Sequence, residues 1–353
     1  MEQNGQTYER LNQLFLESPV LSLGDEDRYV IFSDLHMGNG GRADDFLSNA
    51  DLFLRVAADY YRDLGYSMIL NGDVEELQRF SLEAIQKRWE PIYHLFDDLD
   101  AEGRLYRIVG NHDYALMDPA YEDRFNVLSA LRFDYYGDSI FVFHGHQTSE
   151  FFEKHHDLVR FVLRYFATPL RIKNSEVSHN SEKRFRTEKR VYDFASRSKV
   201  LSIIGHTHRP LFESMSKVDS LKFEIERLCR KYPKSGDKKK EKIEARIQDH
   251  KEELMRIQQL NGQKASGSSL YRENLVVPCM FNSGSVLGKR GMTALEISGG
   301  ELSLVHWFDT NRSRKYLRYH NYDTRHLEGT DYYRVTIKRD SLAYIMSRIK
   351  LLA

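Results

Sequence analysis

The chain has 353 residues, 41% of them apolar and 29% charged, enough for one large domain with insertions or for two domains. Its 52 Lys and Arg balance 52 Asp and Glu, so overall charge points to neither nucleic acid nor a membrane surface, and only local runs can do so. Two cysteines, Cys229 and Cys279, without paired spacing argue against a disulfide framework and for a reducing compartment. The start "MEQNGQTYERLNQLFLESP" lacks the basic and apolar regions of a signal peptide, and no run nears the ~18 apolar residues of a spanning helix. A cytoplasmic protein without a transmembrane segment is expected.

In chain order, five short apolar, β-branched or aromatic runs each end in polar residues: "RYVIFS" before Asp34, "YSMILN" before Gly72, "RLYRIV" before Gly110, "SIFVFH" ending at His144, and "VLSIIG" before His206. Runs of this length and composition predict buried strands. The amphipathic stretches "DFLSNADLFLRVAADYYRDLG" and "SLEAIQKRWEPIYHLFDDLDAEG" separate the first three. Strand alternating with helix predicts an α/β fold with a largely parallel sheet covered on both faces, and ligands at the carboxyl ends of its strands. Beyond Gly284, "GMTALEISGGELSLVHWF" predicts an antiparallel hairpin turning at Gly299-Gly300.

Two segments read as insertions. Residues 151–199 are helical in pattern and basic, with 12 Lys/Arg against 6 Asp/Glu. Residues 214–260 space Val218, Leu221, Ile225 and Leu228, then Ile243, Ile247, Leu254 and Ile257, at helical intervals around a break at Tyr232-Pro233. That pattern predicts an antiparallel helical hairpin whose second arm projects roughly 30 Å, suited to a protein partner or to self-association. The tail 311–353 is basic, with 10 Lys/Arg against 4 Asp/Glu and six tyrosines. Nucleic acid is one reading of such a mixture, but tyrosines packing on the core explain it more simply. Leu342, Ile345, Ile349 and Leu352 form a stripe that should dock on the body or on a second subunit.

The strand ends carry Asp34-x-His36, Gly72-Asp73, Gly110-Asn111-His112-Asp113, His144-Gly145-His146 and Gly205-His206-x-His208. Any one of these is weak, since a lone H-x-H is more often a satisfied pair in a loop. All five, each behind an apolar run, fit a two-metal hydrolytic site. Imidazole, carboxylate and amide oxygen suit Mn, Fe, Co or Zn, and two ions about 3.5–4 Å apart need a carboxylate that spans both. Asp73 is the natural bridge because its glycine neighbour lets the backbone come close, and one intervening residue lets His206 and His208 serve different metals.

These motifs resemble those of the calcineurin-like metallophosphoesterase superfamily, D-x-H, G-D-x-x-D/E, G-N-H-D/E, H and G-H-x-H, over roughly residues 28–211 plus 280–308. The resemblance implies a four-layered α/β/β/α sandwich, here with a helical cap at 151–199 and a helical hairpin insertion at 212–270. The catalytic domain would span 24–312, followed by a basic, Tyr-rich extension at 313–353. It implies two divalent transition-metal ions, with manganese first and iron, zinc or cobalt as alternatives. Asp34, His36, Asp73 and His208 would surround one ion; Asp73, Asn111, His144 and His206 would surround the other. His146 is the alternative to His144, which is favoured because it lies directly at the strand end. His112 would serve the leaving-group oxygen, with Asp113 orienting it, and a metal-bridging hydroxide would attack phosphorus.

Glu76 fills the last position of G-D-x-x-E. His146 and Arg209 are candidates to touch the substrate phosphate, and the loop "MGNGGR" reads either as backbone N–H donors to phosphate or as a plain flexible loop. Arg160 and Arg164 share a helical face in the aromatic, basic stretch "HHDLVRFVLRYFATPLRI". In that cap the chain is faintly similar to UDP-2,3-diacylglucosamine pyrophosphatases, although those usually carry Arg at the place of His112 and Asp at that of His146. The expected function is a binuclear metal-dependent phosphoesterase acting on a small-molecule or lipid-linked phosphodiester, pyrophosphate or phosphomonoester. A nucleotide–lipid pyrophosphatase and a nuclease are alternatives, and a metal-binding scaffold without turnover is the reading from another class. A scaffold should have lost ligands, and every expected position here is filled.

Overall fold

The computed structural model describes residues 2–121, 124–149, 181–213, 231–262, 277–314 and 322–353, with positions 221, 225, 228, 229 and 317 between them. Two sheets face each other. In the larger, β2 (Arg28–Phe32), β3 (Ser67–Asn71), β4 (Leu105–Ile108) and β5 (Val127–Leu128) run parallel. On the other side of β2, four strands continue it antiparallel: β10 (Met292–Ser298), β11 (Glu301–Asp309), β13 (Tyr332–Ser341) and β12 (Thr324–His326). The smaller sheet has the order β1 (Val20–Ser22), β6 (Leu131–Tyr135), β7 (Asp138–Val142), β8 (Leu201–Ile204), β9 (Met280–Asn282), in which only β6–β7 is antiparallel.

All five apolar runs are therefore strands, but they do not share one sheet: three lie in the larger and two in the smaller. Both sets are covered on two faces, so their sequences look alike. Along β2 the side chains alternate between two cores. Tyr29 and Ile31 point between the sheets with Phe133, Ile140 and Ile203, while Val30 and Phe32 point outward with Phe53, Ile92 and Phe96. Tyr29 and Phe133 meet edge to face across the sandwich with ring centroids 4.7 Å apart. Burying each such ring contributes about 2–3 kcal/mol.

Helices complete the outer layers. Those at Ala50–Val56, Leu82–Arg88 and Glu90–Ala101 cover the larger sheet. Those at Glu2–Glu17 and Ser181–Ser198 cover the smaller, through Leu11, Phe15, Val191 and Phe194. The result is the α/β/β/α sandwich. The β10–β11 turn places Gly299 and Gly300 at φ 63° and 68°, the left-handed pair that a two-residue hairpin needs.

Residues of the tail join this body: β13 pairs along β11, and the helix Leu342–Leu352, capped by Ser341, buries Leu342, Ile345 and Ile349 in the same apolar cluster as the smaller sheet. The stretch expected to carry the second arm of a hairpin forms the helix Asp237–Gly262, 26 residues long and so about 39 Å, longer than the sequence spacing predicts because it begins before Ile243. Of the first arm, Leu221 and Leu228 are helical and buried. Most of the cap, including Arg160 and Arg164, lies outside the described residues.

Candidate metal centre

The carboxyl ends of β2, β3, β4, β7 and β8 converge. The loop after β2 runs beside the loop after β3, with Asp34 N–H donating to Gly72 O (3.0 Å) and His36 N–H to Asp73 O (2.9 Å). His206 N–H, from the smaller sheet, donates to Asp34 Oδ2 (2.9 Å). Such close approach excludes side chains at two glycines. A Cβ at Gly72 (φ 82°) would lie 2.4 Å from His144 Nδ1, and one at Gly205 would lie 2.5 Å from Ser33 Oγ and 2.7 Å from Asp34 Oδ2. Asp34, His36, Asp73, His206 and His208 themselves adopt φ between 48° and 63°. Non-glycine residues hold that left-handed conformation at a cost of roughly 1–3 kcal/mol each, and such strain clusters at functional sites.

The side chains form adjoining groups. Asp34, His36 and His208 bring one donor atom each to a common point, and Asp73, His144 and His206 do so beside it. His36 Nε2 lies 3.2 Å from His208 Nε2, and Asp34 Oδ1 lies 3.0 Å from His208 Nε2. Asp73 Oδ2 reaches both groups, 3.1 Å from His144 Nε2 and 3.8 Å from His36 Nε2. Ligands about 2.0–2.2 Å from one tetrahedral ion are separated by roughly 3–4 Å, so these spacings fit a metal. Asp34 Oδ1, Asn111 Oδ1 and His144 Nε2 are buried without an aligned hydrogen-bond partner, although Asp34 Oδ1 lies 3.0 Å from His208 Nε2 and His144 Nε2 3.1 Å from Asp73 Oδ2. Buried lone pairs left in that state are costly unless a cation takes them.

The outer contacts fix tautomers. His144 Nδ1 lies 2.8 Å from Asn71 O, so its N–H donates there and Nε2 is turned inward to Asp73 Oδ2. His36 Nδ1 lies 3.1 Å from Glu76 Oε2, leaving Nε2 toward the ligand group. Burial and the neighbouring His144 lower His206 to about 3, which keeps its imidazole neutral. Burial would lower His144 as well, but the carboxylates of Asp73 and Asp34 outweigh it and lift the group to about 10. Burial likewise opposes charge on His112, and Asp73 and Glu76 override it to give about 9.

Glu76 is the carboxylate that the sequence places but does not assign. Its Oε1 lies 2.9 Å from His112 Nδ1 while Oε2 meets His36, so one side chain orients both rings. Asp113 does not orient His112 by a hydrogen bond, contrary to expectation. Its oxygens accept the N–H of Val74 (2.7 Å) and of Gly110 (2.6 Å), stitching the loop after β3 to that after β4.

His146 is buried, its ring 5.5 Å from that of His144 and edge-on to Tyr114. Arg209 is partly exposed and bound to Glu188 (3.3 Å). In the "MGNGGR" loop Gly40 N–H is taken by Asp44 Oδ2 (2.7 Å) and Gly41 N–H by Asn39 Oδ1 (3.1 Å), while Trp89 Nε1–H holds Gly38 O (2.8 Å).

Among the described residues no helix is long and apolar enough to cross a membrane. Residues 28–226 match the family model described as calcineurin-like phosphoesterase. A solved structure of a conserved uncharacterized protein from Streptococcus pneumoniae TIGR4, titled as a predicted phosphoesterase, is similar at 11% identity, over 81% of this chain and 91% of that one, with a TM-score of 0.28. No curated protein matches the chain.

Proposed function

The chain belongs to the calcineurin-like phosphoesterase family and is a metal-dependent phosphoric ester hydrolase; from that premise we propose that it is a binuclear phosphodiesterase or pyrophosphatase acting on a small-molecule or lipid-linked substrate. One observation carries the binuclear reading: the Asp73 carboxylate lies within reach of both ligand groups. Asp34, His36, Asp73 and His208 would hold one ion, and Asp73, Asn111, His144 and His206 the other. Bound divalent ions supply Lewis acidity to the phosphoryl group and make water a nucleophile near neutral pH.

The chain supplies the rest. His112 has its Nδ1–H given to Glu76, and in the metal-free protein Asp73 and Glu76 lift it to about 9 against burial. Nε2–H is then free to protonate the departing oxygen, a role worth about 10²–10⁴-fold in such reactions. A proton donor of this kind favours a poor leaving group, as in a diester or pyrophosphate. Asp113 keeps the Asn111-His112 loop in place through Gly110. His146 and Arg209 are the proposed contacts to the substrate's anionic oxygens, Arg209 through guanidinium N–H groups other than the Nη1 that meets Glu188, and Arg160 and Arg164 of the cap would reach a second anionic group.

The test is hydrolysis of bis-p-nitrophenyl phosphate and p-nitrophenyl phosphate by metal-stripped protein given back Mn, Zn, Fe or Co singly. Turnover restored by metal, faster on the diester and abolished in Asp73→Asn, is the expected result. A faster monoester would overturn the substrate class. Equal turnover in Asp73→Asn would overturn the bridging role.

A further inference from the structure

The helix Ser181–Ser198 lies outside the five motifs, yet it sends one carboxylate into the loop that carries two proposed ligands. Glu188 is fully buried. Its Oε1 accepts the Thr207 hydroxyl proton (3.0 Å), and Oε2 accepts from the Arg209 guanidinium (3.3 Å). Thr207 and Arg209 alternate with His206 and His208, so every second residue of the loop is tied to the scaffold while the other two face the ligand groups.

The opposite side of the loop is held as well. Asn282 Nδ2, at the end of β9, donates to Thr207 Oγ1 (2.9 Å) and to Gly205 O (2.9 Å), and its Oδ1 accepts Gly284 N–H (2.8 Å). The Thr207 hydroxyl thus donates to Glu188 and accepts from Asn282, which leaves it one orientation. His206 and His208 stand at φ 63° and 52°, where a non-glycine backbone persists only if its surroundings over-determine it. A buried carboxylate is itself unfavourable unless its bonds serve a purpose of this kind.

We propose that Glu188 is a positioning residue: through Thr207 and Arg209 it fixes the loop conformation that directs His206 and His208 to separate metals. This rests on the metal-centre reading above. It also ties the helix that ends the cap insertion to the geometry of the site, without Glu188 touching metal or substrate.

The experiment is a titration of metal-stripped full-length protein with Co²⁺, followed by its visible absorption, for wild type, Glu188→Ala, Glu188→Gln and Thr207→Val, with the Tm of each metal-free protein measured alongside. Glu188→Ala should weaken Co²⁺ binding about 10-fold or more, the usual cost of losing an outer-shell partner, and alter the absorption bands. Glu188→Gln, which still accepts the Thr207 hydroxyl, should restore most of both. Thr207→Val removes the link from the other end and should resemble Glu188→Ala, which decides the matter if that variant does not fold. Wild-type affinity and bands in both Glu188→Ala and Thr207→Val, whatever their Tm, would overturn the proposal and leave Glu188 a packing residue. A wild-type protein that takes up no Co²⁺ would overturn the metal-centre reading and this inference with it.

Discussion

Glu296 on β10 and Asp73 after β3 are both buried carboxylates of the larger sheet, but they keep different company. Glu296 Oε1 accepts from Tyr61 (2.7 Å) and from Arg334 Nε (2.9 Å), its Oε2 accepts from the same guanidinium, and Trp307 Nε1–H donates to the Tyr61 hydroxyl (2.9 Å). Arg334 also donates to Thr336 Oγ1 (3.0 Å). That network carries its own counter-charge. Around Asp73, by contrast, Asp34 Oδ1, Asn111 Oδ1 and His144 Nε2 lack aligned partners, and the backbone is left-handed at Asp34, His36, Asp73, His206 and His208. Buried charge that is satisfied is architecture; buried imidazole, carboxylate and amide atoms that converge without aligned partners are a place for a guest.

The largest effect that separates the two clusters is expected at Asp73. Asp73→Asn should cut metal-dependent turnover by more than about 10³-fold, because the carboxylate proposed to bridge the two ligand sets loses its charge. The metal-free variant should also lose stability toward urea, since His144, His112 and His36 outweigh burial and hold the Asp73 carboxyl well below the usual carboxylate range. Next, Glu296→Gln should differ from it in sparing the metal centre. It strands the buried Arg334 charge, which costs about 3–5 kcal/mol in urea denaturation, while metal uptake by the folded fraction stays at the wild-type level. A Glu296→Gln protein of normal stability that fails to bind metal would break the comparison.

Within the metal-centre cluster, His112→Gln should lower kcat about 10²-fold on a substrate with a poor leaving group, and much less on a p-nitrophenyl ester, whose leaving group needs no proton. Equal losses on both substrates would remove His112 as the proton donor.

The smallest effect comes from a pair of buried histidines. His306 on β11 is pushed by burial down to about 4 against its backbone hydrogen bonds, whereas His144, enclosed beside Asp73 and Asp34, is lifted to about 10. For His306 the unfolded chain takes up the proton first as pH falls, since its unfolded value is about 6.5. Its contribution is complete above that value and is lost between about 6.5 and 4, at up to about 1.4 kcal/mol per pH unit. Urea midpoints measured at pH 7 and pH 5 should therefore differ less in His306→Asn than in wild type.

What the sequence makes legible follows the range of each signal. The five strands and five ligand motifs are local: an apolar run, then a ligand, within ten residues. Their division between two sheets is not, because β2 and β7 are buried on both faces and carry no mark of their neighbours. Glu76 occupies a position that motif spacing makes visible, but its simultaneous hold on His36 and His112 exists only once three loops meet. Glu188 gives no sign at all. In a helix rich in Lys and Arg it reads as one more solvated charge, and only the fold brings it to Thr207. The glycines after His36 suggest openness, but Asp44 and Asn39 occupy two of their amides.

The central claim is that two ion sites share Asp73, and metal content per chain tests it most directly. Metal-stripped wild type and Asp73→Asn would be incubated with Mn²⁺ or Zn²⁺, freed of excess by gel filtration, and analysed by mass spectrometry of the elements. The account predicts about two ions per wild-type chain and a loss of both, or of all but a weakly held one, in the variant. A single ion per wild-type chain, retained unchanged in Asp73→Asn, would contradict it.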